Sequence, residues 1–146
     1  MTVHPRRAVQ ALGFGGLLPF IALFAAAFFS WPWPLSITPE QAFFNYSLII
    51  ASFMAGILWA LACWQLKQQQ TTLLFIASGM ALLIFIVGCL PSPWSLLGMC
   101  LIYALLLLVD FHPQLRAQHW SGYRSMRISL SSIVIMVHIL WIVSIY

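Results

Sequence analysis

Leu105-Leu106-Leu107-Leu108-Val109, closed by Asp110, is the run whose reading decides the fold. Five apolar residues in succession do not fit a strand of a membrane barrel, which alternates polar and apolar side chains. They read as the end of a transmembrane helix. Working outward, this segment reaches back to about residue 93. Four similar segments fill the chain, at about 8–30, 41–66, 71–90 and 126–146. Each is close to the roughly 20 residues that an α-helix needs to cross hydrocarbon. The expected fold is therefore all-α: a polytopic membrane helix bundle of five transmembrane helices, forming a single domain over residues 1–146.

Composition requires the same solvent. Of 146 residues, 63% are hydrophobic and 5% charged, against about 25% charged in soluble domains. Eight charged side chains cannot solvate a globule of this size, so the surface belongs in a lipid bilayer. The net charge of +4 does not signal nucleic acid, because the basic residues are separated by long apolar runs and form no continuous phosphate-binding patch.

The links between segments have turn chemistry. Trp31-Pro32-Trp33-Pro34 is stiff and non-helical, Lys67-Gln68-Gln69-Gln70 is a short polar turn, and Pro91-Ser92-Pro93 is a tight one. Proline disfavours helix in the residue before it. Only the connection over 111–125 is long.

With five spans, Arg6, Arg7, Lys67, Arg116, Arg124 and Arg127 all fall on one side, and Glu40 on the other. Six basic residues would share a side by chance about one time in 30. The positive-inside rule then puts the N-terminus in the cytoplasm and the C-terminus outside. Trp31, Trp33, Trp94 and Trp141 are expected at the outer interface, Trp64 and Trp120 at the inner one, and Trp59 deeper. The first segment is longer than a signal-peptide core, and no transit peptide is visible. The expected location is a bacterial inner membrane.

Few residues offer chemistry. Ser52, Gly56 and Ala60, spaced by four, are expected to let another helix approach closely, with Ser47, Ala51 and Ala55 on the adjacent stripe. This face could be central in the bundle or could form a homodimer. Gly15 and Pro19 predict a kink in the first helix, since proline lacks the N–H and clashes with the carbonyl four residues back. His138 is the one charged or imidazole side chain expected near the membrane midplane, with Tyr103, Ser52 and Ser78 in its layer. It reads as a neutral imidazole bonded to a hydroxyl or carbonyl.

At the cytoplasmic edge, Asp110 ends one helix and Arg127 begins another, each unfavourable for its own helix dipole. An ion pair between Asp110 and Arg124 or Arg127 would relieve both. The alternative is an anionic-ligand site, with Arg116, Trp120 and Tyr123 at the interface. No catalytic set is apparent, and Glu40 and Asp110 lie on opposite sides. Cys63, Cys89 and Cys100 lie in apolar segments without a CxxC pair and read as packing residues. No metal site is expected. His4, His112 and His119 all fall at the cytoplasmic edge, so no second histidine matches the depth of His138. No haem or other cofactor is expected.

Ala11-Leu12-Gly13-Phe14-Gly15-Gly16-Leu17-Leu18-Pro19-Phe20 resembles the opening of the DUF3429 membrane proteins, the family that includes transmembrane protein 69. Ser52-Phe53, Gly56-Ile57 and Trp59 fit its second helix, and Asp110, Trp120, Tyr123, Arg124 and Arg127 its third block. The family often has a basic residue before the second-helix tryptophan, where this chain has Leu58. The resemblance implies a five-helix membrane protein and supplies no activity. The leading functional expectation is a non-enzymatic accessory, assembly or structural component, joined to a membrane-protein partner or to copies of itself. The alternative is a binder or carrier of a lipid-like or anionic hydrophobic molecule.

Overall fold

The computed structural model describes residues 5–34, 36–64, 71–111 and 122–145. Among the described residues, six helices account for the five apolar segments. The first segment is divided into α1 (Pro5–Gly15) and α2 (Leu18–Phe28); α3 (Pro39–Trp64), α4 (Thr71–Gly88), α5 (Trp94–Asp110) and α6 (Tyr123–Ile145) follow. Among the described residues there is no strand. Arg7–Phe28, Pro39–Cys63, Thr71–Gly88 and Tyr123–Ser144 are each long and apolar enough to cross a membrane. With 17 residues, α5 is a shorter apolar helix of about 26 Å. The protein is a helical membrane bundle.

The break in the first helix follows from Pro19, whose ring clashes with the Gly15 carbonyl. The Gly16 N–H still reaches the Leu12 carbonyl at 3.0 Å, but the Leu17 N–H turns to the nearer Phe14 carbonyl, also at 3.0 Å. The Gly16 carbonyl instead accepts the Tyr46 hydroxyl of α3 at 3.0 Å. A carbonyl unpaired in hydrocarbon costs several kcal/mol, so a side chain from the neighbouring helix stabilises the break.

The next helix ends are closed locally. At the end of α2, Ser30 adopts φ 49°, while the Ser30 and Trp31 N–H groups bond the Ala27 and Ala26 carbonyls at 3.2 and 3.0 Å. This is the Schellman arrangement, with serine where glycine is usual. At the start of α3, the Thr38 hydroxyl accepts the Gln41 N–H at 3.1 Å. Pro39 takes the first helical position, where no N–H is needed, and Glu40 sits in the first turn, where the dipole favours it.

The helices form a closed ring. α3 packs on α2, α4 and α5; α5 packs on α4 and α6; α2 and α1 meet α6. Phe20, Phe43, Met99, Ile102, Leu106 and Trp141 are fully buried at its centre, while Leu12, Phe53, Phe75, Phe85 and Val143 face outward. Apolar side chains on the outside suit lipid, which has no polar surface to match. On α3 the buried small-residue stripe is Ser47, Ala51 and Ala55. Ser52, Gly56 and Ala60 are exposed, and a Cβ on Gly56 would meet no atom within 4 Å. Packing inside one chain therefore uses the stripe beside the expected one. Trp59 is exposed, and Trp141 is wholly buried, stacked on Phe43 with ring centroids 4.3 Å apart.

Candidate functional site

Three helices bring one polar side chain each to the centre of the bundle: Ser47 from α3, Tyr103 from α5 and His138 from α6. All three are buried. His138 Nδ1 lies 2.8 Å from the Val134 carbonyl, which can only accept, so Nδ1 carries the proton. In the neutral imidazole, Nε2 then accepts from Ser47 Oγ at 2.8 Å. The Tyr103 hydroxyl donates to the Ser47 carbonyl at 3.0 Å. Phe43, Tyr103 and Phe20 surround the imidazole, with ring centroids 4.7, 5.6 and 5.8 Å away.

A serine and a histidine at this spacing have the first two parts of a nucleophilic triad. The third part is absent from this geometry: a backbone carbonyl, not a carboxylate, orients the ring. Neither residue has any surface to offer a substrate, since both are 0% exposed. The arrangement serves as a hydrogen-bonded link between α3, α5 and α6. Ser52 and Ser78, expected at a similar depth, are exposed and lie outside this hydrogen-bonded cluster. Five residues separate Ser47 from Ser52, and at 100° per residue that turns them about 140° apart on the helix. The signal for Ser47 was its place on the stripe with Ala51 and Ala55.

A second polar centre joins the facing ends of α5 and α6. Arg127 donates from Nε and Nη2 to Asp110 Oδ2, at 2.6 and 2.5 Å, and both side chains are largely buried. Arg127 Nη1 points to the Met54 thioether at 3.5 Å, a weak acceptor. Arg124 does not join the pair. It is exposed, with its guanidinium 4.3 Å from the centre of the Phe111 ring, in cation–π range. Arg116 and Trp120 lie outside the described residues, as does Lys67. Among the described residues, no group of three or more His, Cys, Asp or Glu side chains could hold a metal ion.

A cleft of about 370 Å³ runs between these two centres. Its walls come from α1 and α2 on either side of the break, from α3, and from α6 between Tyr123 and Val134. Tyr123 and Arg127 line it at one level and Tyr103 at another; nearly all the rest is apolar, including Leu12, Phe20 and Ile57. From Tyr123 to Val134 an α-helix rises about 16 Å. Gly13 and Gly16 also line the cleft, and a Cβ on either would meet an atom at 3.2 or 3.3 Å. The atoms met are Leu130 Cδ1 and the Gly13 carbonyl, so neither position takes a side chain unless its neighbour shifts.

No curated protein and no solved structure matches the chain. The family described as "Protein of unknown function (DUF3429)" matches it over residues 5–143, nearly its whole length. The break at Gly15–Pro19 and the Asp110–Arg127 pair both lie within that match. The chain therefore belongs to the DUF3429 family.

Proposed function

We propose that this protein binds a lipid-like amphipathic molecule in the cleft beside the broken first helix. The cleft itself carries the reading. Its volume lies within the roughly 300–1,000 Å³ usual for small-molecule sites, and its mostly apolar wall with a few polar groups is their usual lining. Arg127 keeps its charge balanced by Asp110 while directing Nη1 to a weak acceptor. A headgroup oxygen is a better acceptor for that N–H than a thioether. The chain of the ligand would lie along α1, α2 and α3. The basic residues Arg7, Arg124 and Arg127 support placing this end of the bundle in the cytoplasm, with Glu40 outside, in a bacterial inner membrane.

A photoactivatable fatty acid tests the reading. Cross-linked peptides should map to α1, α3 and the first half of α6, and excess unlabelled fatty acid should protect them. Labelling spread evenly over the outward faces of α4 and α5 would reject it.

A second reading has its own support. Ser52, Gly56 and Ala60 form an exposed small-residue stripe on α3, where the backbone of another helix could approach. In that reading the protein is an accessory or assembly component held against a partner. Gly56→Leu should then release the partner during gentle extraction, while leaving the monomer folded.

A further inference from the structure

The cleft beside the broken first helix carries its polar groups mainly on one stripe. Tyr123 and Arg127 line it from α6, one helical turn apart, with a rise of about 6 Å between them. Ser131, a turn deeper, borders it and is almost fully buried. Tyr103, the remaining polar residue of the wall among those described, donates its hydroxyl to the Ser47 carbonyl at 3.0 Å. Arg127 keeps 14% of its side-chain surface open, and Tyr123 is also partly exposed. The polar groups within reach of an occupant are therefore these two.

Charge decides what they can hold. Arg127 is the one charged side chain among the described residues of the wall. Its Nε and Nη2 are committed to Asp110 Oδ2, so the pair carries no net charge. Arg7 and Arg124 are exposed and do not line the cleft. An anionic head would leave water for a site whose single cation is already neutralised, and leaving water is costly for a charge that finds no unmatched partner. An uncharged oxygen sheds less water, and it would gain a charge-assisted hydrogen bond from Nη1 in place of the Met54 thioether at 3.5 Å.

The two groups also differ in kind. The guanidinium only donates, which suits an ester carbonyl. The Tyr123 hydroxyl donates and accepts, so it can bond an alcohol in addition to its contact within the protein. One helical turn is about the reach from the carbonyl of an acyl ester to the far hydroxyl of its glycerol. We infer, given an amphiphile site in this cleft as proposed above, that the occupant is an uncharged acylglycerol. Its ester carbonyl lies at Arg127 Nη1, a glycerol hydroxyl lies at Tyr123, and the acyl chain follows the apolar wall.

Three photoactivatable amphiphiles that share one hydrocarbon chain test this, each at the same mole fraction in phosphatidylcholine nanodiscs that hold the protein. They are a monoacylglycerol, the methyl ester of the same acid, and an alkyl phosphate, which is charged at any working pH. Peptide mapping reads the labelling of α1, α3 and the first half of α6. The monoacylglycerol should label these segments at least fivefold more strongly than the phosphate and at least threefold more strongly than the methyl ester. Tyr123→Phe should lower monoacylglycerol labelling to the level of the methyl ester, and should leave methyl ester labelling within twofold of the parent. A variant that merely loosens the bundle would lower both. Melting curves identify loss of fold, and in that event the comparison of the three probes on the parent protein decides alone. Cleft labelling by the phosphate that equals or exceeds that of the monoacylglycerol would overturn the inference and leave the amphiphile site standing. A folded Tyr123→Phe protein that keeps the full monoacylglycerol advantage would also overturn it. Cleft labelling by none of the three probes, nor by the fatty acid, would overturn both.

Discussion

Ser47 Oγ and His138 Nε2 stand 2.8 Å apart at a point where neither residue has any exposed surface. Because Nδ1 is committed to the Val134 carbonyl, the serine hydroxyl is the donor on which Nε2 depends. Hydrogen bonds between membrane helices contribute about 1 kcal/mol each. Ser47→Ala should therefore destabilise the bundle by about 1 kcal/mol, whereas Ser52→Ala, on the exposed face of the same helix, should stay within about 0.5 kcal/mol of the parent. Reversible unfolding in mixed micelles compares the two. Equal effects would remove the special status of the Ser47–His138 link.

The Asp110–Arg127 pair predicts a non-additive pattern. Removing one member leaves the other charged and largely buried, at a cost of about 3–5 kcal/mol. Asp110→Asn and Arg127→Gln should each destabilise strongly, and the double variant should cost much less than their sum. Arg124→Ala, whose partner is the Phe111 ring, should cost about 1 kcal/mol or less. A complete double-mutant cycle by thermal unfolding gives the coupling, and simple additivity would show that the pair contributes nothing.

Two glycines should respond oppositely. A Cβ on Gly98 would lie 2.7 and 2.9 Å from the two γ-carbons of Val87, and a β-branched side chain has little freedom to turn aside. Gly98→Ala should cost about 1–3 kcal/mol by overpacking, and Val87→Ala should recover part of that loss in the double variant. Gly56→Ala meets nothing within 4 Å and adds helix propensity, so the monomer should be unchanged or more stable by up to about 1 kcal/mol. Thermal midpoints of the four proteins decide it.

The helical membrane fold was legible because hydrocarbon leaves few ways to satisfy a backbone, and uninterrupted runs such as Leu105–Val109 choose among them. Gly15 and Pro19 likewise announced the break in the first helix, because its cause is local. The partners that complete these features were not legible. Tyr46 reaches Gly16 from 30 residues away, and Ser47 reaches His138 from 91. In a soluble helix a polar face marks the outside, but in lipid both faces are apolar. Hydropathy therefore could not rank Ser47 over Ser52, or show that Trp141 is buried against Phe43. The cleft was invisible for the same reason, since it arises from helices packed around a break.

Tyr46 offers a direct probe of that break. Its hydroxyl is the donor to the Gly16 carbonyl, so Tyr46→Phe leaves the carbonyl without that donor while nearly preserving the ring. A loss of about 1 kcal/mol is expected, together with faster amide exchange at residues 16–18 and 20 than in the parent. Unchanged exchange there would mean that the break does not depend on α3.

Ligand binding in the cleft is tested most directly by native mass spectrometry of the protein extracted gently from its own membrane. The wild-type chain should carry one reproducible amphiphile mass. Leu12→Trp with Ile57→Trp, which fills the cleft from two exposed wall positions, should remove that mass while leaving the thermal midpoint within a few degrees. A bare wild-type chain, or a folded double variant that keeps the same mass in full, would contradict the proposed site.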